Sequence, residues 1–308
     1  MQRTTSTYTF GPRRLRAALC CALVSAAAVS SALAAGTLDR IRDSGRIGIG
    51  YVANSQPYSY TDPSGKVTGY AIAICRKVAD SLKADLKLSA LNAELVPVSM
   101  EDRFSAVEQG KIDLLCGAAP TLGRRAQVDF SIPIGFTGTG VVIRSDAPVR
   151  LVQVLTGRVP AQLNWRGAQA PERRGLAVVA GTTIERALAD VLAQQRIAVN
   201  VVSVKDTAEG LKAVADRRVD GFFDSRAALL EGVDQSPSRA DLVVLDRLFR
   251  RDLIALSLRR GDDDFRLAVD RALSQLFRSD DLAAIYRTYL KEPDSETLEF
   301  FKLVALPE

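Results

Sequence analysis

The chain has 308 residues, 47% of them apolar and 25% charged, enough to bury one large or two modest cores. It contains no histidine, which removes histidine-based acid–base chemistry and the usual zinc ligand sets. Four of the 41 basic residues and none of the 36 acidic ones lie in the first 34 positions, so the remainder carries +1 and makes no electrostatic case for nucleic acid.

Those first residues read as a secretory signal. Arg3, Arg13, Arg14 and Arg16 form a basic region without acids, and residues 17–29 are an apolar run too short to span a bilayer. Ala32-Leu33-Ala34 is an A-x-A site, so cleavage is expected after Ala34 and the product is expected outside the cytoplasm. Export leaves two cysteines, Cys75 and Cys116. In an oxidising compartment a disulfide is the expectation, with two buried thiols as the alternative.

Arg46 to Tyr51 alternates as a strand and runs into the turn-rich ANSQPYSYTDPSGK. Tyr70 to Ala84 reads as a helix and Glu94 to Val98 as a strand. Ser99 is placed to cap a helix from Met100 to Gln109, stopped by Gly110, and Ile112 to Cys116 is the next strand. Val141 to Arg144 is a further β-branched run, followed by a loose Gly/Pro-containing stretch from Ser145 to Arg174. A second βα series follows: Leu176 to Ala180, the helix IERALADVLAQQ, Val199 to Val204, a helix from Thr207 to Asp216, and Val219 to Phe223. Leu242 to Leu245 and Leu253 to Leu258 are short apolar runs, and two amphipathic helices close the chain. Strands alternating with helices predict an α/β protein with mostly parallel sheets.

In such sheets ligands bind beyond the carboxyl ends of strands. Gly117 to Thr121, Gly181-Thr182-Thr183 and Asp224-Ser225 all have that address. Glycine permits close backbone approach, and threonine hydroxyls and free N–H groups accept a carboxylate, although Gly-Thr-Thr before a helix also serves simply as a cap. Within TLGRRAQVDFSIP, Arg124 stands at the mouth of a turn, and its rigid fork of donors fits a carboxylate bidentately. Tyr58 and Tyr60 offer either an aromatic wall or packing under their loop. No nucleophile–base pair, metal cluster or cofactor motif is present, so no catalytic residue, metal or cofactor is assigned.

Taken in order, GRIGIGY, PYSYTDPSGKVTGY, DLLCGAAPTLGRRAQVDFSIP, VVAGTT, AEGLKAVADRRVDGFFDSRAALL, LSLRRGDDDFRLAVDRALSQLF and FFKLVALPE give the chain a family resemblance. It is similar to periplasmic solute-binding proteins of the polar amino acid ABC-transporter type (family 3), and within them to the glutamate/aspartate-binding branch. The resemblance implies a type II periplasmic-binding-protein fold of two lobes joined by two crossover strands. Lobe 1 would comprise residues 35–144 and 252–308, and lobe 2 residues 145–251, with the crossovers near Gly140 to Arg144 and Asp252 to Leu258. It further implies that Arg124 grips the α-carboxylate, helped by backbone near Gly117 and a hydroxyl at Thr182 or Thr183, and that Cys75 and Cys116 are paired. Ala119, Thr121, Val52, Tyr58, Asp224 and Ser225 fall at the remaining ligand-facing positions.

The chain departs from the family pattern where charge is concerned. The family's ammonium-binding Asp falls on Ser225, one residue after Asp224. Its acids after Gly69-Tyr70 are Ala71 and Ala73, its Thr is Ala119, and its side-chain reader is Val52. The expectation is therefore a monomeric binding protein that hands a small carboxylate-bearing ligand, an amino acid foremost but not a standard acidic one, to ABC permease subunits through a pocket less charged than usual. The alternatives are an exported cyclohexadienyl-dehydratase-like enzyme using Asp224 as its acid, and a ligand-sensing partner of a membrane receptor.

Overall fold

A computed structural model describes residues 36–158, 175–194 and 199–307. The signal segment with its cleavage site lies outside them, as do residues 159–174 of the stretch read as loose. The elements, in order, are α1 (Thr37–Ser44), β1 (Arg46–Val52), β2 (Tyr60–Thr61), β3 (Val67–Thr68), α2 (Tyr70–Asp85), β4 (Asn92–Val98), α3 (Arg103–Glu108), β5 (Leu114–Ala118) and α4 (Leu122–Arg125). The long β6 (Val128–Arg144) leads to α5 (Val149–Leu155), β7 (Gly175–Val179), α6 (Thr183–Gln194), β8 (Asn200–Val204), α7 (Thr207–Ala215), β9 (Gly221–Ser225) and α8 (Arg226–Asp234). Then come β10 (Leu242–Val244), β11 (Arg250–Arg259), α9 (Asp263–Phe277), α10 (Asp280–Leu290) and α11 (Ser295–Val304).

One sheet runs in the order β4-β1-β5-β11-β6-β9-β7-β8, with β10 on β6. Strands β4, β1 and β5 are mutually parallel, as are β9, β7 and β8. The antiparallel pair β6/β11, in register from Val128↔Arg259 to Thr139↔Arg250, carries the chain between the two parallel groups. The buried side chains follow this division. Ile47, Ile49, Leu114, Ile134, Leu256 and Phe265 share one core, whereas Val142, Ala177, Phe222 and Leu229 share another. Along β6 the change of core falls between Ile134 and Val141. The expected α/β class, with two crossover strands, is therefore what forms.

Several elements differ from the sequence reading for identifiable reasons. Strand β6 begins at Val128 rather than Val141, because Pro133, Gly135, Gly138 and Gly140 read as breakers. The ladder skips Ile134, pairing Pro133 with Ala255 and Gly135 with Ile254, and such a bulge is where a sheet tolerates proline. Helix α3 starts at Arg103 rather than Met100, since Ser99 Oγ accepts from Asp102 N at 2.9 Å in a turn that precedes the helix. Part of the stretch read as loose is helix α5. Helices α1, α4, α8 and α11 were not foreseen; α1 and α4 span only 8 and 4 residues, too short for a periodic signal.

Candidate functional site

Strand β5 ends beside the crossover strand β11, Ala118 opposite Ala255. Gly117 adopts φ +88°, a conformation that favours glycine, and a Cβ there would lie 3.3 Å from Cβ of Ala71 and 3.7 Å from Cγ2 of Ile254. The expected disulfide forms just before it: Cys75 on α2 joins Cys116 on β5 with their Cα atoms 6.2 Å apart. Beyond the strand, Thr121 caps α4, its Oγ1 accepting from Arg124 N at 3.1 Å. The Arg124 guanidinium turns back, donating to Ala119 O at 2.7 Å and to Gly181 O at 3.1 Å. Arg103, from α3, donates to the same Gly181 carbonyl at 2.9 Å. Both guanidiniums stand over the Phe104 ring, 4.6 and 5.0 Å from its centroid.

Two cations of the first half thus meet one carbonyl of the second. Burial, and then Arg124, pushes the Arg103 pKa down to about 10. Arg124 is also lowered, by burial first and then by Arg186 on α6, with Asp252 acting in the opposite sense. Among the described residues no carboxylate forms an ion pair with Arg103, Arg124 or Arg186.

The Gly-Thr-Thr segment is more occupied than its composition suggests. Thr182 Oγ1 donates to Val179 O at 2.8 Å and accepts from Glu185 N at 3.2 Å, which is a helix cap. Glu185 in turn accepts from Gly181 N at 2.8 Å and from Ser203 Oγ at 2.6 Å. Thr183 opens α6 half-buried.

Across the cleft, Asp224 accepts from Thr207 Oγ1 at 2.6 Å and from Ser225 N at 2.7 Å. Part of its surface stays accessible, yet protein surrounds it closely enough that burial lifts its pKa to about 6 against those two hydrogen bonds. Ser225 is buried, and its hydroxyl caps α8 by accepting from Ala228 N at 3.2 Å. The Tyr58 hydroxyl faces Thr137 and Ser225; burial raises its pKa, and its ring meets Tyr70 edge-on at 6.5 Å. Val52 ends β1 half-buried, its carbonyl taken by Ser59 Oγ at 2.6 Å.

The crossover joins these two groups of residues. Thr137 on β6 is the ladder partner of Asp252 on β11, and Asp252 is felt by Arg124. Arg103, Thr137, Thr207 and Asp252 are the residues that sequence reasoning missed. Only Asp252 left a signal, as an acid opening the apolar run DLIALSL. Ala71 is fully buried against Gly117. Among the described residues no group of three or more Cys, Asp or Glu is arranged to hold a metal. None of their helices is long and apolar enough to cross a membrane.

Residues 47–292 match the profile of the bacterial extracellular solute-binding proteins, family 3. The chain is 29% identical to the L-glutamate/L-aspartate-binding protein of Pseudomonas aeruginosa, over 92% of this chain and 88% of that protein. It is 25% identical to the glutamate/aspartate import solute-binding protein of Salmonella typhimurium, over 84% of this chain and 81% of that protein. Among solved structures, an ancestral amino acid-binding protein described as a precursor of cyclohexadienyl dehydratase superposes with a TM-score of 0.68 at 22% identity. The superposition covers 83% of this chain and 100% of that one, and at this identity it speaks for the type II two-lobed fold alone.

Proposed function

This chain belongs to the bacterial extracellular solute-binding proteins, family 3, and on that premise we propose that it captures an amino acid in the cleft between its two lobes. An acidic amino acid is the favoured ligand. The observation that carries this reading is the convergence of Arg103 and Arg124 on one interlobe carbonyl, with no acid among the described residues in an ion pair with either and Asp252 alone acting on Arg124 from a distance. A ligand carboxylate entering there gains charge-assisted, bidentate hydrogen bonds and relieves the mutual repulsion of two half-desolvated cations. The relatives named above bind glutamate and aspartate, which fits a site with more than one guanidinium.

Arg124 grips the α-carboxylate in this reading. Gly117, Ala119 and Thr121 supply the backbone rim, Thr182 and Thr183 form the facing lip, and Val52, Tyr58, Asp224 and Ser225 make the opposite wall. The lobes are residues 35–144 with 252–308, and 145–251, and rotation about β6 and β11 closes them on the ligand. The protein is delivered outside the cytoplasm by a signal cleaved after Ala34, and it passes its ligand to ABC permease subunits. The role is binding rather than catalysis, as the family and the relatives named above are binding proteins and Asp224, the acid that a dehydratase would use, is engaged by Thr207 and Ser225.

Isothermal titration of ligand-stripped protein with L-glutamate, L-aspartate, L-glutamine and L-arginine tests the assignment. The acidic amino acids should bind tightest, and both Arg103→Ala and Arg124→Ala should weaken them. Tight binding of L-arginine instead would overturn the ligand class, and turnover of a cyclic hydroxy-acid would overturn the non-enzymatic reading.

A further inference from the structure

An amino acid brings an ammonium group into the cleft, and a buried cation without a carboxylate is strongly disfavoured. The side chain at 225 is a serine whose hydroxyl caps α8 and carries no charge to meet an ammonium. Asp224 has a lone pair on each oxygen already taken, by Thr207 Oγ1 at Oδ2 and by Ser225 N at Oδ1, which leaves it fewer positions for an ammonium.

Asp252 is differently placed. It lies on the crossover strand β11, and its side chain retains only 10% of its exposure. Successive side chains alternate along a strand, so Asp252 shares its face with Ile254, whose Cγ2 lies 3.7 Å from the Cβ position of Gly117. That face looks onto the end of β5, where the carboxylate rim begins. Its ladder partner, Thr137, has a buried hydroxyl without a hydrogen-bond partner among the described residues, close enough to act on the Tyr58 hydroxyl. Arg250 Nε pairs with its Oδ1 at 2.7 Å, and no hydrogen bond from the described residues reaches its Oδ2.

We propose that Asp252 supplies the carboxylate that holds the ligand ammonium, moving ammonium capture from the second lobe to the hinge. This rests on the reading of the ligand as an amino acid. It also places the ammonium contact on a strand that both lobes share, so binding there would engage the element about which closure occurs.

The test titrates wild type, Asp252→Asn, Asp252→Glu and Asp224→Asn with three matched pairs: L-glutamate and glutarate, L-aspartate and succinate, L-glutamine and glutaramate. Each second member lacks only the ammonium group. With the pair that wild type binds, Asp252→Asn should weaken the amino acid about 30-fold and its deaminated partner less than about 3-fold. Asp252→Glu should restore most of that preference, and Asp224→Asn should affect both members alike. Equal losses for both members in Asp252→Asn, or an ammonium-specific loss in Asp224→Asn, would overturn the proposal while leaving the binding function standing. If wild type binds none of the three amino acids, the functional reading falls and this assignment falls with it. Because the readout is a ratio between two ligands on one protein, a general loss of folding in a variant does not mimic the expected result.

Discussion

On the wall built from the first half of the chain, Arg103 and Arg124 carry charge that no described acid meets in an ion pair, and they share one carbonyl across the cleft. On the facing wall, Thr182, Asp224 and Ser225 have each spent their hydrogen-bonding groups on helix caps, a neighbouring hydroxyl or a backbone N–H. A polar group whose partners are already met gains little from a ligand, whereas one held half-desolvated and unbalanced gains much. Substitutions on the arginine wall should therefore change affinity, and substitutions on the facing wall should chiefly change stability.

The largest effect expected from this contrast is at Arg124. Replacing it by alanine should weaken binding of the preferred acidic amino acid about 100-fold, equivalent to about 2.7 kcal/mol. Titration calorimetry would show it, with a melting midpoint close to wild type. Arg103→Ala should follow at about tenfold.

Asp224→Asn probes the other wall, where the sign depends on pH. The Asp224 pKa is raised from 3.8 to about 6 in the folded protein, so the stability that its protonated form contributes is complete below about pH 4 and is lost as pH rises through 6. Asparagine cannot ionise. The variant should therefore be more stable than wild type at pH 7.5, by on the order of 2 kcal/mol, and the gap should close near pH 4. Melting curves at the two pH values would check this, and a variant less stable than wild type at pH 7.5 would break the contrast. Smallest is Thr182→Val, which removes the cap of α6 and should cost about 1 kcal/mol of stability with affinity changed less than about threefold. A tenfold loss of affinity there would move Thr182 onto the binding side of the comparison.

How much of this was legible in the sequence differs between the two walls. Arg124, the Cys75–Cys116 pair and the strand ends at Gly117 and Gly181 stand out because they sit in local patterns: a turn, a cysteine count, and glycines closing apolar runs. Arg103 was invisible because its role arises only when α3 packs beside α4 and brings both guanidiniums over Phe104. Asp252 was masked by its apolar neighbours, and its importance depends on a register with Thr137, more than 100 residues earlier, that no local pattern encodes. Departures such as Val52 and Ala71 suggested a pocket poor in charge. The fold instead gathers three cations, Arg103, Arg124 and Arg186, about one contact, a positive charge that the missing acids gave no sign of.

The most direct measurement is a pair of calorimetric titrations, with L-glutamate and L-aspartate run against ligand-stripped wild type and Arg124→Ala. Saturable one-site binding to the wild type, weakened about 100-fold in the variant, is the expected result. Binding that survives undiminished in Arg124→Ala, or a wild type that takes neither amino acid, would contradict the assignment of this cleft to an acidic amino acid.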